Sequence, residues 1–127
     1  MSDFFSDITT LTLSKTLDGL ALRHKVIANN IANAETPGFT RSEVRFEDKL
    51  RAALDGGTTG SAKKRISESE ASVDVDSTSP TRPDGNNVSI DKEMAELTKN
   101  TLRYEALIHL LNLKGSMTRT AITEGRR

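Results

Sequence analysis

Near the start of the chain, Leu13, Leu17, Leu20, His24, Ile27, Ile31 and Ala34 recur in alternating steps of four and three, the spacing of a coiled-coil seam. Thr9 or Thr10 stands ahead of this run as a cap, and Gly19 is the only glycine or proline inside it, so the pattern predicts a helix ending near Asn33. The same steps return in Ile90, Met94, Leu97, Thr101, Tyr104, Ile108, Leu111 and Gly115, which predict a second helix from about Ser89 to Ile122. At ~1.5 Å per residue that helix is about 50 Å long. Leu107, Leu110, Met117 and Ala121 give it a second apolar edge. The two stripes should pack on each other, most simply antiparallel, through Leu13, Leu17, Leu20, Ile27 and Ile31 on one side and Met94, Leu97, Tyr104, Ile108 and Leu111 on the other. A two-helix hairpin covers each stripe on one side only, so further burial should come from other chains.

Between the helices the pattern changes character. Thr36-Pro37 forbids α conformation at Thr36, and Pro37-Gly38 suits the centre of a type II turn. Phe39, Arg41, Glu43 and Arg45 then alternate along an extended run, and a short helix over Glu47–Leu54 is closed by Gly56-Gly57. Residues 55–87 hold five apolar residues in 33 (Ala62, Ile66, Ala71, Val73, Val75), too few to offset the entropy of ordering the segment. It reads as a surface-facing polar loop, although Arg65–Asp76 is also compatible with a small polar β-hairpin. The expected fold is therefore mainly α, one structural domain in three zones. Residues 1–54 hold the N-terminal helix, turn and extended segment, 55–87 the loop or hairpin, and 88–127 the C-terminal helix, the terminal helices forming a coiled-coil-like hairpin.

Composition narrows the function more than it names one. Eighteen basic and eighteen acidic residues cancel, and only 4% of residues are aromatic, which argues against a nucleic-acid partner. The absence of Cys excludes disulfides, thiolate metal sites and cysteine nucleophiles. His24 and His109 have no second ligand at i±3 or i±4, so no metal site is expected and both read as ordinary polar residues. Asp91, Glu93 and Glu96, beside Lys92 and Lys99 in the first turns of a helix, read as solvated charges that favour its dipole. No catalytic constellation, cofactor or small-molecule substrate is expected, and no apolar run approaches the ~18 residues of a membrane span. An enzyme is the least expected class. There is no cleavable secretory signal pattern at the start.

The segment from Ala28 to Thr40 is the most informative. Ala28, Ala32 and Ala34 allow close approach of another helix, while Asn29, Asn30 and Asn33 are poor helix formers that readily bond backbone groups. Together they exceed what a helix cap requires and point to an intermolecular role. Ala28, Asn30, Ile31, Ala32, Asn33, Thr36, Pro37, Gly38 and Phe39 follow, in order, the pattern A-x-N-I-A-N-x-x-T-P-G-[FY]. In this the chain resembles the bacterial flagellar axial proteins, which form rod, hook and hook–filament junction. Its shortness, Arg23, the Arg41–Phe46 run, Asp84-Gly85-Asn86-Asn87-Val88 leading into Met94–Leu97, Leu102–Leu107 and the Met117–Ile122 ending are similar to the proximal rod subunits of that family.

That resemblance implies a subunit of the periplasmic basal-body rod, exported unfolded by the flagellar type III apparatus. It implies assembly through the terminal helices into a hollow drive shaft, with helices that become ordered on assembly. The implied partners are other rod subunits of the same and related kinds, the basal-body MS-ring and export-gate adaptor components. A helical adaptor or chaperone-like hairpin that binds a partner helix is the alternative reading of the bare pattern.

Overall fold

The structure is a computed structural model and describes residues 7–126. Among the described residues six elements follow one another. They are α1 (Ile8–Ala32), β1 (Ser42–Arg45), α2 (Glu47–Asp55), α3 (Thr59–Glu68), β2 (Ser72–Val75) and α4 (Ile90–Glu124). The fold is mainly helical, with the two long helices at its ends.

The long helices lie antiparallel. Asn30 near the end of α1 bonds Glu93 near the start of α4, Asn100 donates to the Leu20 carbonyl, and Lys114 pairs with Asp7 just ahead of α1. Leu20 and Ile27 are buried in this interface, and Leu13, Leu17, Ile31, Leu97, Ile108 and Leu111 are half-buried. The expected stripe on α4 is displaced around the helix. Met94 and Tyr104 are exposed, and the two fully buried residues of α4 are Glu93 and Asn100. On a 3.6-residue helix, Glu93, Leu97 and Asn100 share one face, so the seam toward α1 starts from polar groups that find partners there. His24, assigned to the seam by spacing, is exposed.

The middle zone is an ordered part of the fold, which corrects both the loop and the hairpin expectations. Residues 59–68 are helical, and β2 pairs with β1 rather than with its own neighbours, in the antiparallel register Ser42↔Val75, Glu43↔Asp74, Val44↔Val73 and Arg45↔Ser72. The physical reason lies in two residues. Ile66 has no exposed surface and packs with Leu50 and Ala53 against Ile8 and Leu11, and Ala62 is also buried. Two apolar residues four apart are enough to lay one face of α3 over α2 and the start of α1. Val73 and Val75, by contrast, stay exposed, and β2 is held by its backbone ladder.

A second cluster joins Leu20, Val44 and Phe46, with Leu22, Val26, Ala71 and Leu107 packed around it. Burying each large side chain of these clusters contributes about 1.5–3 kcal/mol. Phe46 lies flat over Gly19, where a Cβ would fall 2.6 Å from its ring. Arg23 lies over the ring at 4.8 Å from its centroid, forks onto both Glu47 oxygens at 2.6 and 2.8 Å, and reaches the Val44 carbonyl. Burial by itself would raise the Glu47 carboxyl, but the Arg23 fork outweighs it and holds the group below its ordinary value.

Candidate functional site

Two stretches singled out in the sequence, 28–39 and 84–88, meet at the end of α1 and form one interlocked junction. The helix stops at Ala32, with Asn33 as its cap. The Asn33 side chain donates back to the Asn29 carbonyl at 2.8 Å and accepts from the Thr36 hydroxyl at 3.2 Å. Thr36 to Phe39 then closes a turn through a 3.2 Å bond from the Phe39 N–H to the Thr36 carbonyl, with Gly38 at φ +73°. A positive φ at that position is the reason a glycine stands there.

Asn86 fastens this turn from the other side. It is fully buried, and its amide nitrogen lies 2.9, 3.1 and 2.9 Å from the carbonyl oxygens of Asn33, Ala34 and Thr36. Its side-chain oxygen accepts from the Val88 N–H at 2.7 Å. One side chain thus ties down three carbonyls of the cap and turn that follow α1. Arg82 adds a further bond to the Ala34 carbonyl. Gly85, at φ +86°, brings its backbone against Gly38, where a Cβ would lie 3.2 Å from the Gly38 Cα.

A charged network lies next to the turn. Arg41 donates from Nε to Glu93 and from a terminal nitrogen to Asp76, each at 2.7 Å, while its N–H donates to the Asn87 side chain. Asn30 pairs with the backbone of Ser42 as a strand would, accepting at 3.0 Å and donating at 2.8 Å, and also donates to Glu93 at 3.1 Å. Asn87 donates to the Asp76 carbonyl. Hydrogen bonds from the Ser79 hydroxyl, Arg41 and Thr78 hold the Asp76 carboxyl far below the ordinary aspartate range. Burial opposes the charge on Arg41, but its bonds to Asp76 and Glu93 prevail and raise its pKa above the usual value. These five side chains tie α1, the strand pair, the 84–88 stretch and α4 into one body.

The predicted motif is therefore split. Asn30 turns inward and is buried, as is Ala34 at a variable position of the pattern, and Ile31, Asn33 and Phe39 are half-buried. Ala28, Ala32, Thr36, Pro37 and Gly38 face outward. Glu93, read from sequence as a solvated charge, is instead 1% exposed at the centre of the network. Its spacing to Leu97 and Asn100, at i+4 and i+7, was the available signal. Nothing in the local sequence marks Asp76 and Arg41 as partners, since 34 residues stand between them. Among the described residues no group of His, Asp and Glu could hold a metal ion, and no helix is long and apolar enough to cross a membrane.

Comparison with known proteins follows the same segment. The family model for flagella basal body rod proteins matches residues 11–40. The chain is 32% identical over 123 residues to the flagellar basal body rod protein FlgB of Bacillus subtilis, covering 93% of this chain and 95% of that protein. It is 36% identical over 108 residues to FlgB of Borrelia hermsii (74% of this chain, 80% of that protein) and 31% over 112 residues to FlgB of Salmonella typhimurium (76% and 81%).

Proposed function

This chain belongs to the FlgB family of flagellar basal body rod proteins, and from that premise we propose that it is a structural subunit, not an enzyme, of the proximal rod. In this reading it assembles with copies of itself and with related rod subunits through its terminal helices into the hollow periplasmic drive shaft. The MS-ring and export-gate adaptor components flank it at the base, and it reaches its place through the flagellar type III apparatus. The helix-packing residues Leu13, Leu17, Leu20, Ile27, Leu97, Ile108 and Leu111 build the helix pair, and the Ala28–Phe39 motif supplies the joint with the next subunit.

The observation that carries the reading is the split of that motif. Its inward part, Asn30 with the half-buried Ile31, Asn33 and Phe39, accounts for the fold of the junction. In its outward half Ala28, Ala32 and Pro37 are exposed, and Thr36 and Gly38, although bonded within the junction, also present surface to solvent. Small residues on one side of a helix end, next to a rigid turn, fit close contact with a neighbouring backbone.

The test is complementation of a non-motile strain from which its own subunit of this kind has been deleted, with the parent chain restoring swimming. Chains carrying Ala28→Trp or Ala32→Trp should keep the wild-type helical signal after purification, because both positions face solvent. The cells should not swim, and isolated basal bodies should lack the rod. Swimming at the wild-type rate with either variant would overturn the assignment of this face.

A further inference from the structure

The two edges of the small sheet differ. On the β1 side, Asn30 takes both the N–H and the carbonyl of Ser42, and Arg23 takes the carbonyl of Val44, so side chains close that edge. On the other side, the register pairs Glu43 with Asp74 and Arg45 with Ser72, and the Asp76 N–H donates to the Arg41 carbonyl at 2.9 Å. Hydrogen-bonded pairs in an antiparallel ladder fall on alternate residues, so the N–H and C=O groups of Val73 and Val75 point away from β1. Among the described residues nothing bonds them. Both side chains are open as well, at 50% and 66% exposed.

Proteins ordinarily blunt such an edge with a lysine, a proline or a bulge, because it is a template for another strand. Ala71–Asp76 contains neither residue, and its pairing with β1 runs without a bulge. Residues 66–81 hold Glu68, Glu70, Asp74 and Asp76 and no basic residue, in a chain whose charges cancel overall. Glu68, Glu70 and Asp74 are exposed, and Asp74 reaches Arg45 only at 4.0 Å.

That acidity selects the occupant. Pairing with β2 of a second copy sets acid across from acid in every central antiparallel register. Asp74 meets Asp74 when Val73 faces Val75, Asp74 meets Asp76 when Val75 faces Val75, and Glu70 meets Asp76 when Val73 faces Val73. Like charges directly opposite each other are destabilising. A strand alternating apolar and basic residues fits instead, its apolar side chains beside Val73 and Val75 on one face and a lysine or arginine beside Asp74 on the other.

We propose that the outer edge of β2 is a strand-addition site for an extended segment of another protein in which basic and apolar residues alternate. Strand addition here requires nothing of the Ala28–Phe39 face, so it stands independently of the rod reading.

The probe is the synthetic peptide Thr-Val-Lys-Val-Arg-Val-Thr, added to the purified full-length chain. In the free chain, amide exchange should be slow at Glu43 and Asp74, inside the ladder, and fast at Val73 and Val75. The peptide should slow exchange at Val73 and Val75. Val75→Pro removes an outward N–H without touching the β1 ladder and should weaken binding about tenfold. On the unaltered chain, N-methylation of the peptide's valines, whose N–H groups face β2, should abolish binding, while N-methylation of its lysine and arginine should not. Glutamate in place of both basic residues should weaken binding about tenfold, and Asp74→Lys should reverse that preference. Unchanged exchange at Val73 and Val75 with the peptide present, or equal binding of the basic and acidic peptides, overturns the proposal. Fast exchange at Asp74 in the free chain would remove the strand itself, and the site with it.

Discussion

Gly19 stands in the middle of α1, where a solvent-facing glycine costs about 1 kcal/mol relative to alanine. On helix propensity alone, Gly19→Ala should stabilise the protein. The Phe46 ring lies in the space the new methyl would take, at 2.6 Å, and is held there by Arg23 above it and Leu20 and Val44 beside it. Forcing a methyl into such a contact costs typically ~1–3 kcal/mol, so the packing penalty exceeds the propensity gain. The expected outcome is a lower midpoint in urea unfolding for Gly19→Ala. A rise in midpoint would mean that Phe46 can move away freely. The glycine is thus the place where the strand leading into α2 crosses α1.

At the scale of elements, α3 is the informative case, because its sequence is polar enough to read as loop. Thr59–Glu68 has one fully buried apolar residue, Ile66, and that residue closes the cluster of Leu50 and Ala53 over Ile8 and Leu11. Truncating a buried isoleucine to alanine typically costs ~2–5 kcal/mol. Ile66→Ala should therefore destabilise the chain by an amount in that range, measurable as a fall in thermal midpoint, and should raise amide exchange across α2 and α3 first. A change below ~0.5 kcal/mol, ordinary for a surface loop, would put residues 59–68 back among the loops. β2 teaches the complementary lesson. Its valines face solvent, so its place beside β1 comes from hydrogen bonds and from the 76–79 turn rather than from burial.

For the whole molecule, the charges that bind the elements together set its response to acid. Asp76, Asp7 and Glu47 all sit below their ordinary values, because of the Ser79, Arg41 and Thr78 bonds, the Lys114 bond, and the Arg23 fork against burial, respectively. A carboxylate depressed in the folded state contributes stability that is complete above the unfolded value of about 4, and loses it as pH falls through the folded value. Stability should therefore be flat from about pH 5 to neutrality and decline steeply below about pH 4. Asp76→Asn should be less stable than the parent at neutral pH and show a shallower decline on the acid side. Denaturant midpoints from pH 2.5 to pH 7 would check this, and parallel curves for the two proteins would remove Asp76 as a source of the slope.

The long helices, the turn at Pro37-Gly38 and the short helix after Phe46 were legible in the residue pattern, because each rests on local rules of periodicity, capping and turn geometry that act within a few residues. The meeting of Ala28–Phe39 with Asp84–Val88 was foreshadowed only as two unusual strings. Which carbonyls Asn86 reaches, and that Gly85 lies on Gly38, depend on groups some 50 positions apart. The partnership of Glu93 with Arg41 and Asn30, the strand pairing of 42–45 with 72–75 and the rotation of the α4 seam are of the same kind. A charge in a helix reads the same in sequence whether it faces water or a guanidinium. Only the packing of α4 against the end of α1 removes the water, and once it does, the partners must be supplied from distant parts of the chain.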